Sequence, residues 1–334
     1  MIRKVLRILI ISAVSYVVIA FGLVVSQPAT ELEPRVSLDF DGVMARGGFE
    51  DPDGDGDLFQ HATYETPDGV RHPVTQIKGE TDKLPVLITL HGSGWHGQQF
   101  DRLGWALRDM AEVHAVTMRG HGETPLRRGD VDHVGQLEED LLPIIEKARD
   151  AGRKVVLLGF SSGGGLVVRF AGGAFGDQLD GAVLLAPYLH HTAPTMIENS
   201  GGWARPLVRR LIGLSMLNTV GIRVLNHLTV VQFAMPQAIL DGPQGQFATT
   251  AYSYRLNTSM APRTNYLGDI AALPPFLLLA GRQDEAFFAL EFEPTLSEMT
   301  SNGTYHLLDG IGHLDLVDAP ETEALIRDFL AAFQ

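Results

Sequence analysis

Cysteine is absent from the 334 residues of this chain. Disulfide bridges, thiolate nucleophiles and cysteine-based metal sites are therefore excluded. Positive charge is also scarce, since 26 lysines and arginines stand against 40 aspartates and glutamates, for a formal net charge of −14. Because recognition of a phosphate backbone needs concentrated lysine and arginine, nucleic acid is not expected as a partner. The 45% share of hydrophobic residues is that of a globular protein rather than a disordered one.

The N-terminal segment combines a basic start with a long apolar run. Arg3, Lys4 and Arg7 precede residues 8–25, a run of 18 residues without a charged side chain. This length is sufficient for a membrane-spanning helix, and the basic flank places the rest of the chain on the side away from the cytoplasm. A cleaved signal peptide followed by secretion is the alternative, although its apolar region is usually shorter. Residues 1–26 are therefore predicted to be an anchor or a signal segment.

Residues 27–57 form an acidic stretch rich in proline, glycine and aspartate, which predicts a linker. Within it, residues 51–57 follow the opening of a calcium-loop pattern. Such a loop needs a bidentate carboxylate at its twelfth position, and that position is Ala62 here. A solvated acidic turn is the favoured interpretation, and calcium binding is the weaker alternative.

From residue 58 onwards, short apolar runs alternate with helical patterns. Two β-prone runs at residues 61–66 and 70–78 are joined by Pro67-Asp68-Gly69, which predicts a hairpin. The alternation that follows predicts βαβ units and a mostly parallel central sheet flanked by helices, an α/β fold. The predicted strands are residues 85–90, 113–118, 154–159, 181–186, 276–280 and 305–308, and the clearest helices are residues 137–151 and 320–333.

The alternation stops between residues 188 and 262. This segment shows no convincing strand but several apolar helical patterns, among them residues 207–216 and 220–234. It carries five arginines against two acidic residues, so it is basic within an acidic chain. We predict a helical cap inserted into a core formed by residues 58–187 and 263–334. The cap either shields the site or also rests on anionic lipid, and both interpretations stay open.

The end of the strand at residues 154–159 carries the most informative motif. The strand runs directly into Gly159-Phe160-Ser161-Ser162-Gly163, and a helical pattern follows at once. A sharp strand-to-helix turn holds a serine in a strained position, and small residues two positions to either side let the backbones approach. Ser161 has glycine at both positions, so it is the predicted nucleophile. The backbone N–H of Ser162, at the start of the helix, is a predicted oxyanion donor.

A serine nucleophile needs a base, and the base needs an acid that orients it. Asp284 and His313 each follow a predicted strand, His313 within a glycine-rich turn. Both lie just past the carboxyl ends of parallel strands, where open sheets bind ligands, and therefore at the same edge as Ser161. His313 is the predicted base and Asp284 the predicted acid, with Glu285 as the reserve.

The loop after the strand at residues 85–90 is the predicted source of a second oxyanion donor. Its sequence is His91-Gly92-Ser93-Gly94-Trp95, and the glycines free the backbone to turn an N–H into the site. Ser93 is the best candidate and Gly94 the next. His91 is expected to brace the loop rather than react.

Five motifs follow one another along the chain: HGSGWHGQQF (91–100), TMRGHGETP (117–125), GFSSGG (159–164), AGRQDEAF (280–287) and LDGIGHLDL (308–316). In sequence and in order they resemble the motifs of the α/β-hydrolase superfamily. The nearest members are its lysophospholipase, monoacylglycerol-lipase and serine-aminopeptidase-like branch, and the resemblance covers residues 60–334. Many relatives carry aspartate before x-R-G-H-G, where this chain has Thr117, a change that concerns the scaffold and not the mechanism.

The resemblance implies an α/β-hydrolase fold with an esterase-type triad of Ser161, Asp284 and His313. It also implies an oxyanion hole formed by the amides of Ser93 and Ser162, and neither a cofactor nor a metal. The expected reaction is two-step acyl transfer from a carboxylic ester. An apolar cap and a membrane tether favour a lipid-like substrate, such as a monoacylglycerol or a lysophospholipid.

Other functions stay open at this point. Amide or peptide hydrolysis, as in the aminopeptidase-like relatives, needs acidic cap residues to hold a substrate amine, and the cap offers only Glu198 and Asp241. Hydrolysis or perhydrolysis of small esters would use the same triad. A non-catalytic scaffold is disfavoured because no triad position is lost.

Overall fold

The computed structural model describes residues 2–32, 38–42, 49, 54 and 56–334. Most of the calcium-loop pattern at residues 51–57 lies outside the described residues. The α-helices are α1 Ile2–Val25, α2 Asp101–Ala106, α3 Gln136–Asp150, α4 Ser162–Ala171, α5 Val208–Thr219, α6 Gln237–Leu240, α7 Tyr254–Met260, α8 Tyr266–Ala271, α9 Phe292–Ser297 and α10 Pro320–Leu330. The strands are β1 Phe59–Glu65, β2 Arg71–Ile77, β3 Val86–Leu90, β4 Glu112–Val116, β5 Val155–Phe160, β6 Gly181–Leu185, β7 Ala204–Pro206, β8 Thr229–Phe233, β9 Ala251–Ser253, β10 Phe276–Gly281 and β11 Gly303–Leu308.

An eight-stranded sheet in the order β1-β2-β4-β3-β5-β6-β10-β11 forms the centre of the molecule. Neighbouring strands from β4 to β11 are parallel, whereas β1 and β2 are antiparallel. The predicted hairpin and mostly parallel sheet are therefore confirmed, and each of the six predicted strands is present within two residues of its predicted ends. Since parallel strands end at one edge, the turns after β3, β5, β10 and β11 meet there.

The middle of the sheet is buried on both faces. Every residue of β3, β5, β6 and β10 is buried, because these strands are continuous apolar runs covered by helices on each side. Burial of this kind stabilises the core by roughly 1.5–3 kcal/mol for each large apolar side chain. The carboxyl edge of the sheet is therefore a rigid support for the turns that carry the candidate residues.

Residues 188–262 contain a small antiparallel sheet in the order β7-β8-β9. The prediction that this segment has no strand is wrong, and the predicted helix at residues 220–234 is replaced by turns and β8. The helix predicted at residues 207–216 is present as α5. The β-branched run of β8 is paired on both sides by strands distant in sequence, and such pairing overrides a local helical pattern.

The predicted linker contributes to the core. Leu38 and Phe40 are 6% and 7% exposed, and the ring of Phe40 lies 5.7 Å from that of Trp203. Two large apolar side chains in an otherwise acidic stretch gain more by burial than by solvation. This part of the segment is therefore a wall of the cavity described below rather than a solvated linker.

The N-terminal segment is a single helix, α1, of 24 residues. It is long and apolar enough to cross a membrane by length and composition. Its first part, residues 2–15, is exposed along its whole length. Its last part packs against α5, with Ala20 and Val24 buried in the contact.

Candidate active site

Ser161 occupies a sharp turn between β5 and α4. Its φ of 53° and ψ of −117° lie in a region that non-glycine residues rarely adopt. The flanking glycines permit the turn, because a Cβ on Gly159 would lie 2.3 Å from the carbonyl oxygen of Gly163. A Cβ on Gly163 would lie 2.2 Å from the carbonyl oxygen of Leu90. The two glycines that flank Ser161 are therefore required by close backbone contacts, which leave no room for a side chain.

His313 and Asp284 are joined by a hydrogen bond at the same edge of the sheet. The Nδ1 of His313 lies 2.8 Å from Oδ2 of Asp284. The other carboxylate oxygen, Oδ1, accepts the backbone N–H groups of Ala286 and Phe287, each at 2.8 Å. With Asp284 held by two backbone donors, its remaining oxygen is fixed toward the imidazole, so Nδ1 donates and Nε2 is left free of the proton.

The ring of His313 is enclosed by two aromatic side chains. Its centroid lies 4.8 Å from that of Phe160 and 5.3 Å from that of Phe287, and His313 is 3% exposed. Glu285, the reserve acid, contacts the backbone instead, since its Oε2 accepts the N–H of His313 at 2.8 Å. The structure therefore brings Asp284 to the imidazole and leaves Glu285 to hold the backbone.

The loop after β3 is fixed by residues of the cap. The indole Nε1 of Trp203 donates to Oγ of Ser93 at 2.8 Å. The N–H of Gly94 donates to the hydroxyl of Tyr252 at 2.8 Å, which removes Gly94 as an oxyanion donor and leaves Ser93 as the candidate. Neither Trp203 nor Tyr252 was singled out from the sequence, since each lies in the cap outside every recognised motif.

Tyr252 in turn is held by the second sequence motif. Its hydroxyl lies 2.6 Å from Nε2 of His121, whose Nδ1 lies 3.1 Å from the carbonyl oxygen of Arg119. Burial lowers the pKa of His121 to about 4, so the ring is neutral, donates from Nδ1 and accepts at Nε2. A chain of hydrogen bonds thus runs from Gly94 through Tyr252 into the loop after β4.

His91 braces the same loop from within, as expected. Its Nε2 accepts the backbone N–H of Met118 at 3.2 Å, and its Nδ1 donates to the carbonyl oxygen of Gly92 at 2.8 Å. Burial holds the pKa of His91 well below its usual value. A neutral ring with both nitrogens engaged is a structural element rather than a base.

A cavity of about 160 Å³ opens beside these residues. Ser93, Ser161 and His313 line it together. The apolar residues of the remaining wall are Leu38, Phe40, Phe49, Trp95, Phe160, Trp203, Leu314 and Val317. Its polar and charged residues are His61, His96, Gln98, Gln99, Asp101, Arg102, Gln244 and Asp318. The predicted nucleophile, base and oxyanion loop therefore share one pocket with a mixed apolar and polar wall.

Asp101 is an acidic residue in the wall of this cavity. It is 2% exposed, and its Oδ1 has no hydrogen-bond partner among the described residues. Burial raises the pKa of Asp101 to about 7, against the opposing effect of the hydrogen bond from Thr75. The carboxyl group is therefore largely protonated below neutral pH.

Replacing Asp101 is expected to change how stability depends on pH. In the folded state the carboxyl group of Asp101 keeps its proton up to about pH 7, whereas in the unfolded chain it loses this proton near pH 3.8. Its contribution to the free energy of unfolding is therefore complete below pH 3.8 and is lost as the pH rises to about 7. The loss amounts to at most about 4 kcal/mol. In Asp101→Asn, the melting temperature should fall less between about pH 5 and pH 8 than in the wild type. If the melting temperatures of the two proteins fell equally over this pH range, the raised pKa of Asp101 would be contradicted.

The sequence and the fold were compared with those of known proteins. A family model described as serine aminopeptidase, S33, matches residues 81–319. None of the curated proteins matches the chain in sequence. Many solved structures share its fold.

Among these structures is a soluble variant of monoglyceride lipase from Saccharomyces cerevisiae, with a TM-score of 0.62 and 16% identity over 83% of this chain and 96% of that one. A carboxyl esterase from Bacillus coagulans has a TM-score of 0.60 and 17% identity over 83% and 99%. A membrane phospholipase A described as a bacterial virulence factor has a TM-score of 0.56 and 18% identity over 100% and 99%. At these identities the likeness establishes the fold.

Proposed function

Because the chain belongs to the serine aminopeptidase S33 family of α/β-hydrolases, we propose that it is a serine hydrolase that cleaves carboxylic esters of acyl lipids. The observation that carries this proposal is the cavity that Ser161 and His313 line together with eight large apolar side chains. These apolar side chains suit a hydrocarbon chain attached to a carbonyl group that lies next to the nucleophile.

The proposed reaction begins when Oγ of Ser161 attacks the ester carbonyl. Nε2 of His313 takes the hydroxyl proton, because Nδ1 is already committed to Asp284. The negative charge on the carbonyl oxygen is stabilised by the backbone N–H groups of Ser93 and Ser162, each worth about 2.7–4 kcal/mol in comparable sites.

Breakdown of this intermediate releases the alcohol. The C–O bond breaks, and His313 gives its proton to the leaving oxygen, which leaves an acyl-enzyme on Ser161. Water then attacks the acyl-enzyme with His313 as base, and a carboxylic acid departs. No metal or cofactor is required for either step.

Ester hydrolysis is favoured over aminopeptidase activity because the acidic residues of the cap lie away from the cavity. A substrate ammonium group needs an ionised carboxylate, and of the two acidic residues in the wall, Asp101 and Asp318, Asp101 is largely protonated below neutral pH. The two acidic residues of the cap, Glu198 and Asp241, are exposed and are not part of the wall. The family description alone favours the aminopeptidase alternative.

We further propose that α1 is a membrane anchor. Arg3, Lys4 and Arg7 would remain in the cytoplasm, and the catalytic domain would lie on the other side of the membrane. Secretion after cleavage of a signal peptide is the alternative. An anchored enzyme whose pocket carries large apolar side chains fits a substrate such as a monoacylglycerol or a lysophospholipid.

The test is hydrolysis of p-nitrophenyl esters from acetate to palmitate by the full chain in detergent, with alanine p-nitroanilide alongside. We expect kcat/KM to peak at medium or long acyl chains, since each buried methylene contributes about 0.8 kcal/mol. A steady fall beyond acetate would overturn the lipid assignment and leave a small-ester hydrolase. Faster cleavage of the anilide than of every ester would favour the aminopeptidase.

A further inference from the structure

Helices α1 and α5 are antiparallel and in close contact. The hydroxyl of Tyr16 lies 2.9 Å from Oγ1 of Thr219 at one end. At the other end, Arg209 donates to the carbonyl oxygen of Ser26 at 3.0 Å. Between them Gly213 permits a tight crossing, since a Cβ there would lie 2.6 Å from the carbonyl oxygen of Ala20. The second part of α1 therefore lies alongside the whole length of α5.

The contact between α1 and the cap combines apolar packing with hydrogen bonds. Ala20 and Val24 of α1 are buried with Leu214, Leu217 and Val230 of the cap in an apolar cluster separate from the main core. Arg210 also donates to the carbonyl oxygen of Val24 at 3.2 Å, and Gln232 to that of Thr30 at 2.6 Å. Helix α1 is thus fixed to the cap, so the depth of α1 in a membrane would set the depth of the cap.

The part of α1 that projects beyond this interface is too short to span a bilayer. Residues 2–15 number fourteen, which gives about 21 Å at 1.5 Å per residue. The hydrocarbon core is about 30 Å thick. If α1 spans it, at least the outermost 9 Å or so must be crossed by Tyr16 and the residues after it, which lie beside α5. Tilt of the helix increases this overlap, and so does placing Arg3, Lys4 and Arg7 in the headgroup region rather than in the hydrocarbon core.

The end of α5 that meets Tyr16 is suited to an apolar medium. The insertion tip, residues 219–224, exposes Val220 by 51% and Val224 by 76%. No acidic residue occurs between residues 199 and 240. Arg223 of the tip is exposed, and a long arginine side chain reaches the headgroup region from such a depth.

We propose that the insertion tip enters the outer leaflet of the bilayer beside α1. This inference rests on the proposed anchor, and it adds a second membrane contact within the cap itself. An overlap of at least about 9 Å brings the tip at least to the 5–10 Å depth typical of interfacial elements. Strand β7 joins α5 directly to Trp203, a residue of the cavity wall. The insertion whose tip enters the leaflet therefore also contributes a wall residue to the catalytic cavity.

The absence of cysteine allows a direct test in the full chain. Val224→Cys and, as a matched exposed control outside the cap, Leu290→Cys are each labelled with an environment-sensitive fluorophore and reconstituted into phosphatidylcholine–phosphatidylglycerol vesicles. Leu290 is 62% exposed. We expect the label at position 224 to be quenched by lipids brominated on their acyl chains and protected from aqueous iodide. The label at position 290 should show the opposite pattern.

Two results would overturn the inference. One is quenching by iodide that is equal at positions 224 and 290. The other is oxidative cross-linking of Val224→Cys to a second copy without quenching by lipid, which would make the tip a protein interface. Because the labels report position and not turnover, a failure of ester hydrolysis would leave this result unaffected.

A functional variant tests the consequence for catalysis. Val220→Asp with Val224→Asp is expected to lower hydrolysis of a vesicle-borne monoacylglycerol at least about tenfold, because carboxylates resist insertion. Hydrolysis of p-nitrophenyl butyrate in solution should be unchanged, which verifies the fold and the catalytic residues. Equal rates of vesicle hydrolysis by variant and wild type would contradict the insertion.

Discussion

Ser161→Ala is expected to lower kcat for ester hydrolysis at least about 10⁴-fold, since the covalent step is lost and only binding and oxyanion stabilisation remain. The strained turn at Ser161 is set by backbone contacts of Gly159 and Gly163, so alanine should leave the fold intact. The measurement is kcat and KM on the p-nitrophenyl ester that the wild type hydrolyses best, together with the melting temperature.

An exposed serine provides the matched control. Ser297 ends α9 on the surface, and Ser297→Ala should retain the wild-type kcat. A folded Ser161→Ala protein that keeps wild-type kcat would remove Ser161 from the mechanism. The same substitution would then be made at Ser93, the other predicted site residue whose side-chain hydroxyl lies in the cavity wall.

Asp284→Asn is expected to reduce kcat by about 10⁴-fold through the tautomer of His313. Oδ1 of Asp284 accepts two backbone N–H groups, so an asparagine must direct its oxygen to them and its NH₂ group to His313. The imidazole would then carry its proton on Nε2, where it cannot accept the proton of Ser161. The melting temperature should change little, because the backbone hydrogen bonds are retained.

Glu285→Gln is the control for this charge change. Glu285 holds the backbone N–H of His313 through Oε2, and the amide oxygen of glutamine can accept the same bond. We expect kcat within about tenfold of the wild type. If Glu285→Gln lost more activity than Asp284→Asn, the reserve residue would be the orienting acid and the assignment of Asp284 would be wrong.

The central sheet could be predicted from the sequence because its strands are buried on both faces. A strand such as β5 is then a continuous apolar run bounded by turns, which is a strong local signal. That Ser161, Asp284 and His313 lie at one edge of the sheet could also be predicted, because all three residues come directly after parallel strands. Their actual distances do not follow, because side-chain packing such as that of Phe160 and Phe287 on His313 is decided in three dimensions.

The cap was predicted less well for a related reason. Its strands β7, β8 and β9 are short and pair across long sequence separations, so no local period indicates them. Trp203 and Tyr252 act on the oxyanion loop through single hydrogen bonds, and single contacts leave no pattern in a sequence. The burial of Leu38 and Phe40 likewise depends on a cavity wall formed by distant residues.

The contact between α1 and the cap is also a product of the tertiary structure. The apolar run of α1 predicts a membrane span by itself, but it does not show where the catalytic domain lies along that span. The position comes from Gly213 and the small side chain of Ala20, which let two helices approach closely. In the proposed membrane arrangement, the depth of the cap is therefore set by this one helix crossing.

The central claim is that Ser161 is the residue that becomes acylated. The most direct test is to treat the native full chain with a fluorophosphonate probe and to locate the adduct by peptide mass mapping. A single adduct on Ser161 is expected, absent from folded Asp284→Asn protein over the same exposure. An adduct on another serine, or none on folded wild-type protein, would contradict the role of Ser161 as nucleophile.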